Sequence, residues 1–245
     1  MSGFVTAHGA ELPDIVVPVR EAAAHQELRY ALRSWCANVP HGRVWIVGHR
    51  PPWLQSVEHL PISQDGTKWK NTTAAVRAAC QHPEVSRRWL LMNDDFFVMR
   101  PLPDAMPVLH RGLVTDVEQQ CAGRVSNTYL RGMRETRAAL EVLGHPAPLS
   151  YELHAPLPVD TAGMLHALDR VPLVDGMHKR TVYGVLNQIG GEQIEDVKVA
   201  HRGPRFPKDA VFLSTMPDSF TNGMVGHHIR KRFPRPCRYE REGVH

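Results

Sequence analysis

The sequence has no apolar run near the roughly 20 residues that would cross a bilayer, which argues against a membrane-spanning protein. Its opening, "MSGFVTAHGAELPD", lacks both a basic start and a continuous apolar stretch, so it does not read as a secretory leader, and the expected compartment is the cytoplasm. Cysteine is sparse: Cys36, Cys80, Cys121 and Cys237 are widely scattered with no CxxC, which favours reduced thiols over a disulfide scaffold or a zinc site. Internal repeats and low-complexity segments are absent, which excludes solenoids and arrays.

What is present is a globular composition, with 42% hydrophobic and 22% charged residues in 245. That length suits a single domain spanning 1–245. The net charge is +4, and part of the excess lies in "HHIRKRFPRPCRYER", residues 227–241. Such a tail is either a solvated helix end or a contact for phosphate or an anionic surface through Arg230, Lys231, Arg232 and Arg235. No aromatic RNA-binding signature accompanies it, and no nucleic-acid partner is expected.

Along the chain, "DIVVPVR" (14–20) reads as a strand, and "HQELRYALRSWCANVP" follows with Leu28, Leu32 and Trp35 on one helical face. "RVWIVGHR" (43–50) and "VEHLPI" (57–62) are further strands, "TKWKNTTAAVRAACQH" a helix, and "RRWLLMNDDFFVMRPLP" a fourth strand. This alternation predicts an α/β fold, a doubly wound and mostly parallel sheet with helices on both faces, whose ligands gather at the carboxyl ends of the strands. Beyond residue 110 the pattern is less regular. "SNTYLRGMRETRAALEVLG" predicts a helix with Asn127 as cap and Gly144 as stop, and "TAGMLHALDRV", "RTVYGVLNQIG" and "TNGMVGHHIRKRF" are shorter helical candidates. "HPAPLSYELHAPLPVD" reads as an ordered loop over a cleft.

The anomaly is "LLMNDDFFVMR", residues 90–100, where Asn93, Asp94 and Asp95 interrupt an apolar run. Desolvating carboxylates costs several kcal/mol, so the acids are expected in a wet crevice beyond a strand that ends at Met92. Two carboxylates there can bind Mg²⁺ or Mn²⁺, ions that commonly bridge protein carboxylates to diphosphate oxygens. Asn and Asp also form turns, so the triplet alone does not decide between a turn and a site.

Two stretches carry a family resemblance. "ELRYALRSWCANVPHGRVWIVGHRPPWL" resembles the second conserved region of the Stealth proteins, in which a helix leads to a strand and a Pro-Trp-Leu turn. "RRWLLMNDDFFVMRPL" is similar to the end of that region, an apolar strand running into Asn-Asp-Asp. "HAPLPVD" (154–160) and "RFPRPCRYE" (232–240) are similar to two later segments, with Cys237 where the family has Ser. The start departs from the pattern: "DIVVPVREAAAHQ" has Arg20 and Glu21 in place of the family's Asp-Gly-x-Asp strand end. The resemblance implies a glycosyltransferase-A-like core, with a nucleotide-binding half at about 14–110 and an acceptor or active-site half at about 111–245. It further implies transfer of a sugar 1-phosphate from a nucleotide sugar to the hydroxyl of a glycan, lipid carrier or protein.

Within that expectation, Asp95 and Asp94 hold the metal, with Asp218 as a further ligand, and Asp94 and His154 are the catalytic candidates. Arg20, Arg29, Lys70, Asn71, Asn93, Asp94, Asp95 and Asn127 are the donor-binding candidates. Ordinary alternatives stand beside several of them: Asn71, Asn127 and Asp218 as caps or turn residues, and Arg29 as a helix-surface charge. Three competing functions remain open from sequence. They are a glycosyltransferase cleaving the anomeric bond, a metal-dependent phosphohydrolase, and a basic module binding nucleic acid or a membrane surface.

Overall fold

The computed structural model describes residues 11–22, 24–103, 105–171, 176–241 and 243; residues 1–10, on which much of the reading of the opening rests, lie outside them. In chain order the elements are β1 (Asp14–Val19), α1 (Gln26–Asn38), β2 (Val44–Gly48), β3 (Glu58–Leu60), α2 (Lys68–Gln81), β4 (Arg88–Leu91) and β5 (Phe96–Val98). They continue through β6 (Leu109–His110), α3 (Val114–Cys121), α4 (Asn127–Val142), β7 (Leu157–Asp160), α5 (Thr161–Arg170), α6 (Lys179–Leu186), β8 (Glu192–Gln193) and β9 (Lys198–Val199). The last are β10 (Phe212–Thr215), α7 (Pro217–Asn222) and α8 (Met224–Arg232).

The main sheet has the order β3-β2-β1-β4-β7, parallel except for β7. Its first two strands, β1 and β2, are rich in β-branched residues and buried on both faces, as a covered parallel sheet requires. Alternate residues feed two cores. Ile15, Val17 and Val19 join Leu28, Leu32 and Trp35 of α1 on one face. Val16, Trp45 and Val47 meet α2, α5 and α6 on the other, through Val76, Met164 and Val182. Helices therefore lie on both faces of a mostly parallel sheet, as the alternation predicts.

Three expectations about elements need correction. The stretch 87–103 is not one strand: it forms β4 and then β5, which leaves the main sheet and pairs with β10 in a second sheet of order β5-β10-β9. The Asn-Asp-Asp turn makes the switch, closed by Phe96 N–H donating to Asn93 O at 3.2 Å. The end of the supposed loop before residue 160 is β7, an antiparallel edge strand. An edge strand has one neighbour, so Pro158 sacrifices no ladder bond on its free side. Finally, Asn127 is the first residue of α4 and not its cap; Ser126 accepts from Tyr129 N–H instead.

The basic C-terminal segment is no free tail. Phe233, Tyr239 and Glu240 are buried, and Arg241 N–H donates to Trp53 O at 2.8 Å. Among the described residues no helix is long and apolar enough to cross a membrane.

Candidate active site

In an open α/β sheet, the crevice for a ligand lies at the carboxyl ends of strands where the winding direction reverses. Here that point falls between β1, which continues to β2 on one side, and its other neighbour β4. Arg20 follows β1 and Asn93–Asp95 follow β4, so the fold brings the anomalous triplet and an exposed arginine to one switch point.

The acids are not alone. Asp95 Oδ2 accepts from Lys198 Nζ at 2.5 Å and from Ser214 Oγ at 3.0 Å, groups brought in by β9 and β10. Glu27, in the first turn of α1, accepts from Thr215 Oγ1 at 2.6 Å. Burial and the Asp95 charge push Asp94 up to about 6, against the pull of Arg20. Burial raises Glu27 to about 7, with Asp95 and Asp94 adding to it and the Thr215 bond opposing. Three carboxylates thus crowd one lysine and one arginine, an excess of negative charge that a divalent cation would relieve.

On the far side of Phe96, the residue after Asp95, lies a second polar group. His154 packs its ring edge-on against Phe96, with centroids 6.1 Å apart. Its Nδ1 is 2.9 Å from Asp196 Oδ1, and Asp196 Oδ2 is 3.5 Å from Arg111. Burial alone would raise the Asp196 carboxyl, but the bond to His154 and the charges of His154 and Arg111 hold it below the usual range. Arg180 lies beneath, with its guanidinium 5.5 Å from the Phe96 ring centre and bonded to the carbonyls of Leu153 and Ala155.

No family model and no curated protein matches the chain. Among solved structures, it is similar to the apo-form glycosyltransferase GlyE of Streptococcus pneumoniae TIGR4, with a TM-score of 0.47 and 10% identity, over 91% of this chain and 60% of that one. The chain therefore spans about 60% of that structure's length. A likeness at this level carries no argument about mechanism or substrate.

The expected site residues divide by where the fold puts them. Arg20, Asn93, Asp94 and Asp95 meet at the switch point, with His154 one aromatic ring away. Arg29 does not fit a donor contact, because its guanidinium is buried, 3.0 Å from Glu240 Oε2 and 4.4 Å from the centre of the Trp53 ring. Asn71 is committed to the preceding loop, donating to Gln64 O and Gly66 O and accepting from Gly66 N–H. Neither Asn71 nor Lys70 opens the helix: α2 begins at Lys68, with Thr67 as its cap. Lys70 is exposed in the first turn, and its backbone N–H donates to the Thr67 hydroxyl. Asp218 is drawn away from the acids by Arg202, whose two bonds at 2.6 and 2.7 Å hold it at about 2 on the surface.

Sequence reading missed Glu27, Asp196, Lys198, Ser214 and Thr215. Glu27 looks like an ordinary first-turn acid favoured by the helix dipole. Lys198 and Asp196 lie on and beside a two-residue strand with no pattern to read.

Proposed function

We propose that the chain is a transferase that takes a nucleotide-sugar donor and passes a sugar 1-phosphate, or the sugar alone, to an acceptor hydroxyl. The observation that carries the reading is the acidic turn at the β1/β4 switch point, where Asp94 and Asp95 follow β4, Arg20 follows β1, and Lys198 and Ser214 hold Asp95. Polyanions would be repelled by such a centre, which disfavours a nucleic-acid role. A diphosphate bridged by a metal suits it.

Among the described residues no three His, Cys, Asp or Glu side chains are arranged to hold a metal by themselves. Mg²⁺ and Mn²⁺ commonly take one or two protein carboxylates and complete their shell with water and substrate phosphates. Asp95 and Asp94 would hold it, and when bound it would neutralise charge growing on the leaving phosphate. Arg20 faces the same donor phosphates. Lys198 fixes Asp95, and Ser214 holds the same carboxylate oxygen. His154 takes the proton from the acceptor hydroxyl through Nε2, while Asp196 fixes its Nδ1 side and so its ring orientation.

The resemblance of two stretches to Stealth motifs supports sugar 1-phosphate transfer over anomeric cleavage, and product analysis separates the two. Phosphate retained in the new linkage marks the first; release of the nucleoside diphosphate marks the second. A thermal-shift screen of nucleotide sugars with and without Mn²⁺ tests the platform itself. A ligand at about 100 times its Kd adds roughly 2.7 kcal/mol, a rise of several degrees that requires Mn²⁺ and is lost in Asp95→Ala. A rise unchanged in that variant would remove Asp95 from the donor site.

A further inference from the structure

A cluster outside this site is untouched by the transferase reading. Cys36, exposed in the last turn of α1, and Cys237, in the segment after α8, are 201 positions apart in sequence yet line one open cavity of about 440 Å³. Arg33, Arg232 and Arg235 line it too. The two thiols and the Arg238 charge are close enough to act on one another electrostatically. The Cys237 side is held firmly, because Cys237 N–H donates to Glu240 Oε1 at 2.9 Å, and that carboxylate is itself bound by Arg33 at 2.7 Å.

We propose that Cys36 and Cys237 form a redox-active dithiol whose oxidation by an anionic low-molecular-weight disulfide, such as oxidised glutathione, fastens the C-terminal segment to α1 through an internal disulfide. The asymmetry of the pair assigns the roles. Cys36 is exposed and lies beside the Arg238 charge, whereas Cys237 is half-buried and tied through its N–H to Glu240. Cys36 is therefore the attacking thiolate and Cys237 the resolving thiol. In the first step Cys36 Sγ attacks one sulfur of the small disulfide, making a mixed disulfide and releasing one small thiolate. In the second, Cys237 loses its proton and attacks Cys36 Sγ, and the second small thiolate leaves. Two protein thiols are oxidised and one small disulfide is reduced to two thiols. The arginines around the cavity favour an anionic reagent over a neutral one.

A disulfide closing so long a loop restricts the unfolded chain strongly, so oxidation should raise Tm by on the order of 10 °C. The test needs no turnover and stands apart from the transferase reading. The full chain is incubated with oxidised glutathione, its free thiols are titrated, its Tm is measured, and its peptides are mapped. The expected result is loss of two thiols, a cross-linked peptide pair containing Cys36 and Cys237, and a Tm rise reversed by dithiothreitol. Cys237→Ser should instead accumulate a glutathione adduct on Cys36, and Cys36→Ser should give neither product. If a variant fails to fold, alkylation of the wild type by iodoacetamide, read by mass spectrometry, should label Cys36 well before Cys80, Cys121 or Cys237. Adducts without a Cys36–Cys237 cross-link in the wild type, or alkylation of Cys36 no faster than of the other cysteines, would overturn the proposal.

Discussion

The carboxylates at the switch point are held where charge is unwelcome, and this gives them a measurable signature. Asp94 at about 6 and Glu27 at about 7 lie above the unfolded carboxylate range of about 4. The folded protein therefore binds protons between about pH 4 and 7 that the unfolded chain does not, and their contribution to stability is lost as pH rises through the folded values. Glu27→Gln should raise Tm by a few degrees at pH 8, equivalent to about 1–2 kcal/mol after allowing for screening at a partly exposed group. It should change little at pH 5; the two melting curves at each pH decide. On the proposed reading Mn²⁺ would bind only the ionised forms, so an Mn²⁺-dependent Tm rise should shrink from pH 8 to pH 6. A metal response flat across that range would argue against these acids as ligands. In the second polar group, Asp196→Asn should lower kcat and shift its pH profile with little change in KM, since the carboxamide holds the imidazole without its charge. At this scale the sequence was legible only where a residue offended its surroundings. Asp94 and Asp95 stood out in an apolar run, whereas Glu27 and Lys198 are unremarkable until the chain folds and brings α1 and β9 to the same turn.

The elements show how local pattern and tertiary context divide the work. Helices with clean apolar spacing, α1 and α4 among them, were readable within a residue or two. The split between β4 and β5 was not, because both flanks of the turn are equally apolar and nothing local says that they join different sheets. Short strands such as β9 exist only through their partners. The sharp bend between α7 and α8 rests on a close approach that sequence also hides. A Cβ on Gly226 would lie 1.7 Å from the Phe220 carbonyl oxygen, a backbone atom that cannot rotate away. Gly226→Ala should therefore cost about 2–3 kcal/mol, in the range of overpacked sites. Its companion is Gly184→Ala in α6, where the clash is with the Tyr151 ring at 2.3 Å. Urea midpoints for both variants check the expectation. The backbone clash should be the more severe, since a ring can tilt and a carbonyl fixed in a helix cannot.

Across the whole molecule, the last described residues reach back to the first helix and close the fold. Glu240, 3% exposed, accepts from Arg29 at 3.0 Å and from Arg33 at 2.7 Å through each of its two oxygens. The motifs around Arg29 and Glu240 were both legible in the sequence, but their meeting was not, because it depends on the path of every element between them. The basic segment is thereby anchored: removing everything after Ile229 would delete Phe233 and Tyr239 from the core and strand two buried arginines. A single substitution separates charge from packing. Glu240→Gln keeps the shape and removes the counter-charge, which at a buried pair costs about 3–5 kcal/mol and lowers Tm at pH 7 by on the order of 10 °C. Burial works against the Glu240 charge, but the bonds from Arg33, Cys237 N–H and Arg29 hold its carboxyl below the ordinary value. Its contribution is therefore complete above the unfolded glutamate value of about 4.3 and is lost as pH falls through the lower folded value. The gap between wild type and Glu240→Gln should then be widest near neutrality and narrow below about pH 4, where the wild type sheds the same charge. Equal melting temperatures at pH 7 would mean that the apolar contacts of Phe233 and Tyr239 hold the segment without the ion pair.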